Sequence, residues 1–410
     1  MSLLYAPEIL AQQALNLVGT GQAVTLEEAI GIALENNRDL AAFRKRLEEA
    51  RGDLTKASLI LPSNPKLESQ MDNRHSTREN ETHTDYTVGL SQEVRIAGQR
   101  GKAISVAEKG LEKVKAEIDT LEWTITSRVK GNFYEVLALK KVLELRELIQ
   151  GLFEKLTKAL RTKYDAGAAT ILELNSTEIQ YVRAKKEYLD ARGRYLASLL
   201  NLKLLLGLPQ DSPIEAKGEL KYRKIQTDLS GLMEKALKFR PDLKALELEE
   251  ERASREVSLI KSQRIPNPVL SGFFGRDEGS DRIAGGAISI PLPLIDRKQG
   301  ELQKANAIRD AARINIEGRT LQIHKELESA YQVFLSSEKG LEVYEEILSE
   351  LEDSLQLNEL TYLEGKTSFV EFLLLQNNLL ESKASYLEAL LGYYQALVEL
   401  ERVSFKSLIE

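Results

Sequence analysis

Tyr164-Asp165-Ala166-Gly167-Ala168-Ala169-Thr170 and Tyr362-Leu363-Glu364-Gly365-Lys366-Thr367-Ser368 are one turn written twice. Each interrupts a long helical pattern with a glycine, followed three positions later by a hydroxyl residue. Outward from the turn, the correspondence holds at a constant offset of 198 residues over 91–202 and 289–400. Leu137, Lys141, Leu143, Glu144 and Glu173 return as Leu335, Lys339, Leu341, Glu342 and Glu371. Residues 26–65 realign on 229–268 at an offset of 203, so the register slips once, between 65 and 91. A period of about 200 residues is too long for the solenoid classes. It reads as a duplicated half-molecule whose halves are structural equivalents.

Helix signals dominate both halves. Leu111, Val114, Ile118, Leu121 and Ile125 recur at spacings of three and four, and the stripe runs on through Val129, Phe133 and Val136 with a stuttered heptad. No proline falls between Gln99 and Tyr164. A helix of ~60 residues would be ~90 Å long, far beyond a globular helix. After the glycine turn a second helix is expected over about Thr170 to Leu206, giving an antiparallel hairpin. The second half repeats it over about 297–362 and 367–403. Shorter helices are expected at about 25–36 and 38–60, and again at 228–239 and 242–264.

Pro62-Ser63-Asn64-Pro65 and Pro266-Asn267-Pro268 stop a helix at equivalent places, and the period then changes to two. Leu67, Ser69 and Met71 alternate with Glu68, Gln70 and Asp72; Tyr86, Val88 and Leu90 alternate with Thr87, Gly89 and Ser91. In the second half 268–276 and 282–292 carry Phe273, Phe274, Ile283, Ile288 and Ile290. Polar loops are expected at 73–84 and 277–281. Runs of about 9–11 residues have the length of a tilted membrane strand. Four strands cannot close a barrel, and an open edge in lipid leaves backbone groups unpaired, so membrane strands would require several chains to pool them. The other reading is a soluble four-stranded sheet capping a helical bundle.

The organisation expected is a first repeat over 1–206 (strand pair about 66–95, hairpin about 99–206) and a linker over 207–227. A second repeat covers 228–403 (strand pair about 268–292, hairpin about 297–403), with a tail at 404–410. Net charge is −7 with Lys and Arg dispersed, which gives nucleic-acid binding little support. The absence of cysteine excludes disulfides, thiolate metal sites and Cys nucleophiles. No apolar window reaches the ~18–20 residues of a membrane helix. Met1-Ser2-Leu3-Leu4-Tyr5 shows no secretory leader, leaving either a cytosolic chain or a mature form. No phosphate loop, dinucleotide fingerprint, nucleophile elbow or zinc-helix motif appears, so no enzyme chemistry and no cofactor is expected. Of three histidines, His75 and His83 share one polar loop and are a minor candidate for metal ligation; His324 lies on a long helix.

The duplicated order, the Asn-Pro stops and the glycine-broken hairpins resemble the TolC-like outer-membrane efflux family over residues 25–403. Pro266-Asn267-Pro268, with the passage Gln92-Glu93-Val94-Arg95-Ile96-Ala97-Gly98-Gln99-Arg100, is most similar to its heavy-metal (CzcC-like) branch. The resemblance implies a mainly α fold with a small β part, in which three chains close a helical α-barrel. Four strands per chain would enter a shared transmembrane β-barrel. It further implies an outer-membrane location with the helices in the periplasm. Its partners would be a homotrimer, outer-membrane lipid, a periplasmic adaptor and an inner-membrane pump of the resistance-nodulation-division type. The function implied is passive exit of metal cations or small toxic compounds; a soluble coiled-coil scaffold is the competing class.

The resemblance also places a gate at the hairpin tips. Tyr362 stands at the family's gating tyrosine, Glu173 at its acidic hydrogen-bond partner and Glu371 at a carboxylate that attracts cations. The gating arginine's place falls to Thr367, beside Lys366, so that ionic latch is altered. Gly167, Ala168, Thr170, Gly365 and Ser368 occupy the adaptor-docking tips, with the glycines permitting the turns and Thr170 and Ser368 capping the next helices. The contrast between Ala168-Ala169-Thr170 and Lys366-Thr367-Ser368 implies that one hairpin per chain moves.

Overall fold

The computed structural model describes residues 22–76, 81–277, 281–364 and 366–408. In chain order the elements are β1 (Gln22–Val24), α1 (Leu26–Asn36), α2 (Arg38–Ser58), β2 (Lys66–Ser76), β3 (Glu81–Glu93), α3 (Gln99–Asp165) and α4 (Ile171–Leu205). The second half follows with β4 (Ile214–Ala216), α5 (Leu229–Phe239), α6 (Pro241–Gln263), β5 (Val269–Asp277), β6 (Asp281–Ser289), α7 (Gln299–Leu363) and α8 (Phe369–Ser404). The 67 residues of α3 and 65 of α7 correspond to about 100 Å of helix each. Much of the expected stripe is buried: Ile118, Ile125, Val129, Phe133 and Val136 are all at most 8% exposed, while Leu111, Val114 and Leu121 are partly buried.

The two long helices begin alike. Gly98 (φ +69°) and Lys298 (φ +61°) both adopt the left-handed conformation just before the first helical residue. Gln99 Oε1 then accepts from the Ala97 amide at 2.8 Å, and Gln299 Oε1 from the Arg297 amide at 2.7 Å. These junctions correspond at an offset of 200, whereas the tips correspond at 198. The sequence register of 198 therefore fails at the helix starts, and α3 holds two residues more than α7. The first turns carry polar rather than apolar residues, so apolar spacing does not detect the difference.

The sheet order is β2-β3-β5-β6, antiparallel throughout. Its register sorts the side chains. Leu67, Ser69 and Met71 lie opposite Leu90, Val88 and Tyr86; Leu90 and Val88 lie opposite Gly272 and Phe274, and Leu270 opposite Ile288. That face is mainly apolar, with Arg276 and Arg282 opposed near its turn end, and Leu67, Met71, Phe274 and Ile288 are each more than 60% exposed on it. The other face carries Lys66, Glu68, Gln70, Asp72, Asp85, Thr87, Ser91 and Ser271, together with Val269, Phe273 and Ile283 on β5 and β6. The ladder also continues to Ser76 and resumes at Glu81, so most of the polar stretch expected as a loop at 73–84 is strand. β6 ends at Ser289 rather than 292. A three-residue parallel pair, β1 with β4, lies partly in the expected linker and had no sequence signal.

Two compact units emerge, and each draws on both halves of the sequence. One comprises 42–119 and 241–321 and contains the sheet. There Gln99, 4% exposed, donates from Nε2 to Asn267 Oδ1 at 2.9 Å, and Asn267 Nδ2 donates to Glu93 Oε1 at 2.7 Å. The Asn-Pro stop and the strand-to-helix passage are thus knit by a satisfied polar network. The other unit comprises 1–41, 120–240 and 322–410. Its core holds Phe133, Phe334, Leu341 and Tyr393. The linker is strapped to it by tyrosine hydroxyls: Tyr393 donates to the Arg223 carbonyl at 2.6 Å, Tyr394 to Lys221 at 2.9 Å and Tyr331 to Thr227 at 3.1 Å.

Two helix ends in this unit make a paired test. Gly167 (φ +74°) ends α3 and Gly207 (φ +67°) follows α4. A Cβ at Gly167 meets open space, but one at Gly207 would lie 2.8 Å from the Asn36 carbonyl oxygen. Gly167→Ala is expected to cost about 1 kcal/mol, the left-handed strain alone. Gly207→Ala is expected to cost about 1–3 kcal/mol more, through overpacking. Chemical denaturation of both variants measures this; equal costs would contradict it.

Candidate functional site

At the first tip, α3 ends in a Schellman motif. The Gly167 amide donates to the Tyr164 carbonyl at 2.9 Å and the Ala168 amide to the Lys163 carbonyl at 2.7 Å, with Gly167 as the left-handed residue. Thr170 then caps α4. Its hydroxyl accepts from the Glu173 amide at 3.2 Å, and the Glu173 carboxylate accepts from the Thr170 amide at 2.7 Å and hydroxyl at 2.8 Å. This is a reciprocal capping box. The second tip builds the same device: Ser368 Oγ accepts from the Glu371 amide at 3.2 Å, and Glu371 accepts from the Ser368 amide at 3.0 Å. Both carboxylates therefore do local work that a gate assignment leaves out. The signal was present in the sequence as Thr-x-x-Glu and Ser-x-x-Glu.

The tips differ in their surroundings. Tyr362 stacks on Phe372 with ring centroids 4.7 Å apart and planes 21° apart. Asn358, 4% exposed, donates to the Phe372 carbonyl at 2.9 Å and so ties α7 to α8 beside that stack. Lys366 pairs with Glu364 at 2.5 Å, an exposed pair of small energetic weight. The Thr367 hydroxyl is shielded and accepts or donates no hydrogen bond. Gly365 and the side chain of His83 lie outside the described residues; His75 Nδ1 approaches Thr82 Oγ1 at 3.3 Å. In the single chain, Glu173 is engaged within its own first turn, and Tyr362 packs within its own hairpin.

Sequence reasoning missed the bridge between hairpins. Arg146, on α3, donates from Nη1 to Glu187 of α4 at 2.9 Å and to Glu381 of α8 at 2.5 Å. It is 14% exposed and adjoins a core of Ile149, Phe153, Leu156, Leu174, Leu373 and Leu380. A guanidinium with several fixed donors suits this three-helix junction better than a lysine would. Its only sequence signal was an arginine amid an apolar stripe.

The capping boxes give a pH expectation. Hydrogen bonds from the Thr170 backbone and hydroxyl hold the Glu173 carboxyl below the usual carboxylate range, and those from Ser368 do the same for Glu371. A depressed folded-state pKa means that this contribution is present above about pH 4.3. It is lost as pH falls through the lower folded values. Amide exchange at residues 171–174 and 369–372 should accelerate on acidification below about pH 4 and stay pH-independent between 6 and 8 apart from intrinsic chemistry. Glu173→Gln and Glu371→Gln should abolish the acid step; its persistence would contradict the assignment.

The outer membrane efflux protein family model matches residues 29–208 and 232–404. The cobalt-zinc-cadmium resistance protein CzcC of Cupriavidus metallidurans is 24% identical over 383 residues, covering 93% of this chain and 90% of the relative. The pyoverdine export outer membrane protein OpmQ of Pseudomonas aeruginosa is 22% identical, covering 92% and 85%. The crystal structure of a membrane protein from Pseudomonas aeruginosa matches the fold with a TM-score of 0.76 at 20% identity, covering 92% of this chain and 93% of the other. The chain therefore belongs to the outer membrane efflux protein family, whose members are trimeric outer-membrane channels working with adaptor proteins and inner-membrane pumps.

Proposed function

We propose that this chain is the passive exit duct of a metal-cation efflux system, fed by an inner-membrane pump of the resistance-nodulation-division type through an adaptor that docks on the hairpin tips. The observation that carries the reading is the two-faced sheet, attached to paired helical hairpins. One face exposes Leu67, Met71, Phe274 and Ile288; the other is polar across β2 and β3, with Val269, Phe273 and Ile283 among its residues on β5 and β6. Such a sheet suits outer-membrane lipid on one side and an aqueous lumen on the other. A soluble scaffold would have no use for that apolar face. Metal cargo is supported by the near full-length likeness to a cobalt-zinc-cadmium resistance protein. Export of small organic compounds is the second reading, favoured by the likeness to a pyoverdine export protein.

The two sequence repeats each supply one strand pair and one hairpin. Tyr362, Glu173, Glu371, Lys366 and Thr367 form the periplasmic gate in this reading, and Gly167, Ala168, Thr170, Gly365 and Ser368 the docking tips. The second hairpin is the moving one: its tip carries the Tyr362–Phe372 stack and the unbonded Thr367 hydroxyl. In this reading Tyr362 and Glu173 latch the closed state.

Loss of the gene should sensitise cells to cobalt, zinc or cadmium, and the intact gene should restore resistance; sensitivity to organic toxicants alone would favour the second reading. For the gate, Tyr362→Phe combined with Glu173→Gln should raise single-channel conductance in planar bilayers, the glutamine retaining hydrogen-bonding capacity at the helix cap. Unchanged conductance would remove these two residues from the gate.

A further inference from the structure

The chain contains one finished junction between a strand-to-helix passage and an Asn-Pro stop. β3 is paired on both sides: its ladder with β2 ends at Lys66–Ser91, and its ladder with β5 runs on to Val269–Glu93. Beyond that rung the Val94 amide donates to the Pro268 carbonyl at 2.9 Å. Gln99 Nε2 donates to Asn267 Oδ1 at 2.9 Å and to the Ile265 carbonyl at 3.3 Å. The passage of the first repeat is thereby clamped to the stop of the second.

The reciprocal parts, the passage of the second repeat and the stop of the first, belong to β6 and β2 at opposite edges of the sheet. The β6 ladder with β5 ends at Val269–Ser289, the repeat equivalent of Lys66–Ser91, and the strand stops there. Gln299 opens α7 as Gln99 opens α3, but its Nε2 donates to the Ile295 carbonyl, four residues back, at 3.2 Å. Asn64, the counterpart of Asn267, is exposed. Ile290, Leu292, Leu294 and Ile295 are 53–90% exposed, and Leu59 and Ile60 beside the stop are 54% and 79% exposed. Apolar surface gathered at both loose ends marks a contact to be covered.

We propose that a second copy of this chain completes the junction in a fixed register. This deepens the duct reading above and rests on it. Carrying the Glu93–Val269 rung through the offsets of 198 and 203 sets Pro291 opposite Lys66 of the next copy. Ile290 then faces Leu67, Ser289 faces Glu68 and Ile288 faces Ser69. The pleat supports this register independently. Leu67, Ser69 and Ile288 share one face within the chain, as directly opposite residues must, and a slip of one residue would break the match. The Leu292 amide donates to the Pro65 carbonyl of the next copy. Gln299 Nε2, which carries two hydrogens, adds Asn64 Oδ1 to Ile295. The second passage is two residues longer than the first. The Leu294 amide, donating to the Leu292 carbonyl at 2.9 Å, takes up the excess in a tight turn. One element is replaced: Glu93 accepts from Asn267 Nδ2 at 2.7 Å, but its counterpart is Pro291. The contact between copies thus gives up a carboxylate and gains the apolar run 290–295.

Oxidation of the full chain in native outer membranes reads the register. Glu68→Cys with Ser289→Cys should give crosslinked trimers. Glu68→Cys with Ala287→Cys should give at least about tenfold less, because a shift of two residues carries the Cα atoms beyond disulfide reach. Stronger crosslinking of the shifted pair would overturn the register and leave the duct intact. Heating detergent-extracted trimers tests the clasp. Asn64→Ala and Gln299→Ala should each lower the dissociation midpoint, with the double variant falling no further than the less stable single. Both side chains are exposed in the single chain, so the shift reads the contact between copies. Midpoints equal to wild type would overturn the clasp. A wild-type chain that forms no trimer would overturn the duct reading, and this contact with it.

Discussion

The constraint on which the rest depends is the pair of open edges on a four-stranded sheet. β2 and β6 each pair on one side only among the described residues, and their unpaired N–H and C=O groups would cost several kcal/mol each in hydrocarbon. Water would satisfy those edges, but the register gives the sheet an apolar face suited to lipid. Pooling strands between copies resolves the conflict, because closure removes every edge. The trimeric habit of the family then follows from backbone hydrogen bonding, and duplication helps: two equivalent units per chain put six repeats around one axis.

The helices answer to the same logic at their ends. Each long helix begins through a left-handed residue and a glutamine that accepts the amide two residues before it. Each hairpin ends in a tight turn followed by a capping box. Between those ends, Arg146 ties three helices at one level.

Much of this was legible in the sequence, for identifiable reasons. The long helices were legible because apolar residues recur every three or four positions with no proline to stop them. The Asn-Pro stops marked the passage to strands because proline cannot continue a helix. The faces of the sheet were less legible: Lys66–Asn73 reads as too polar for lipid until the pairing joins Leu67 and Met71 to Leu90 and Tyr86. At the tips, Thr170 and Ser368 were legible as helix caps. Glu173 and Glu371 were legible as special positions, but the capping box accounts for their hydrogen bonds without invoking a gate. The three-residue β1–β4 pair and the two-residue difference between α3 and α7 left no periodic trace.

Edge pairing between copies is the central claim, and a chain without cysteine makes it directly measurable. Single cysteines introduced along β2 and along β6 of the same chain, oxidised in native outer membranes, should yield covalent dimers and trimers and nothing larger. Crosslinks should appear only when both strands carry a cysteine. Crosslinking between β2 and β2, ladders beyond three chains, or monomers at every β2–β6 combination would contradict the account.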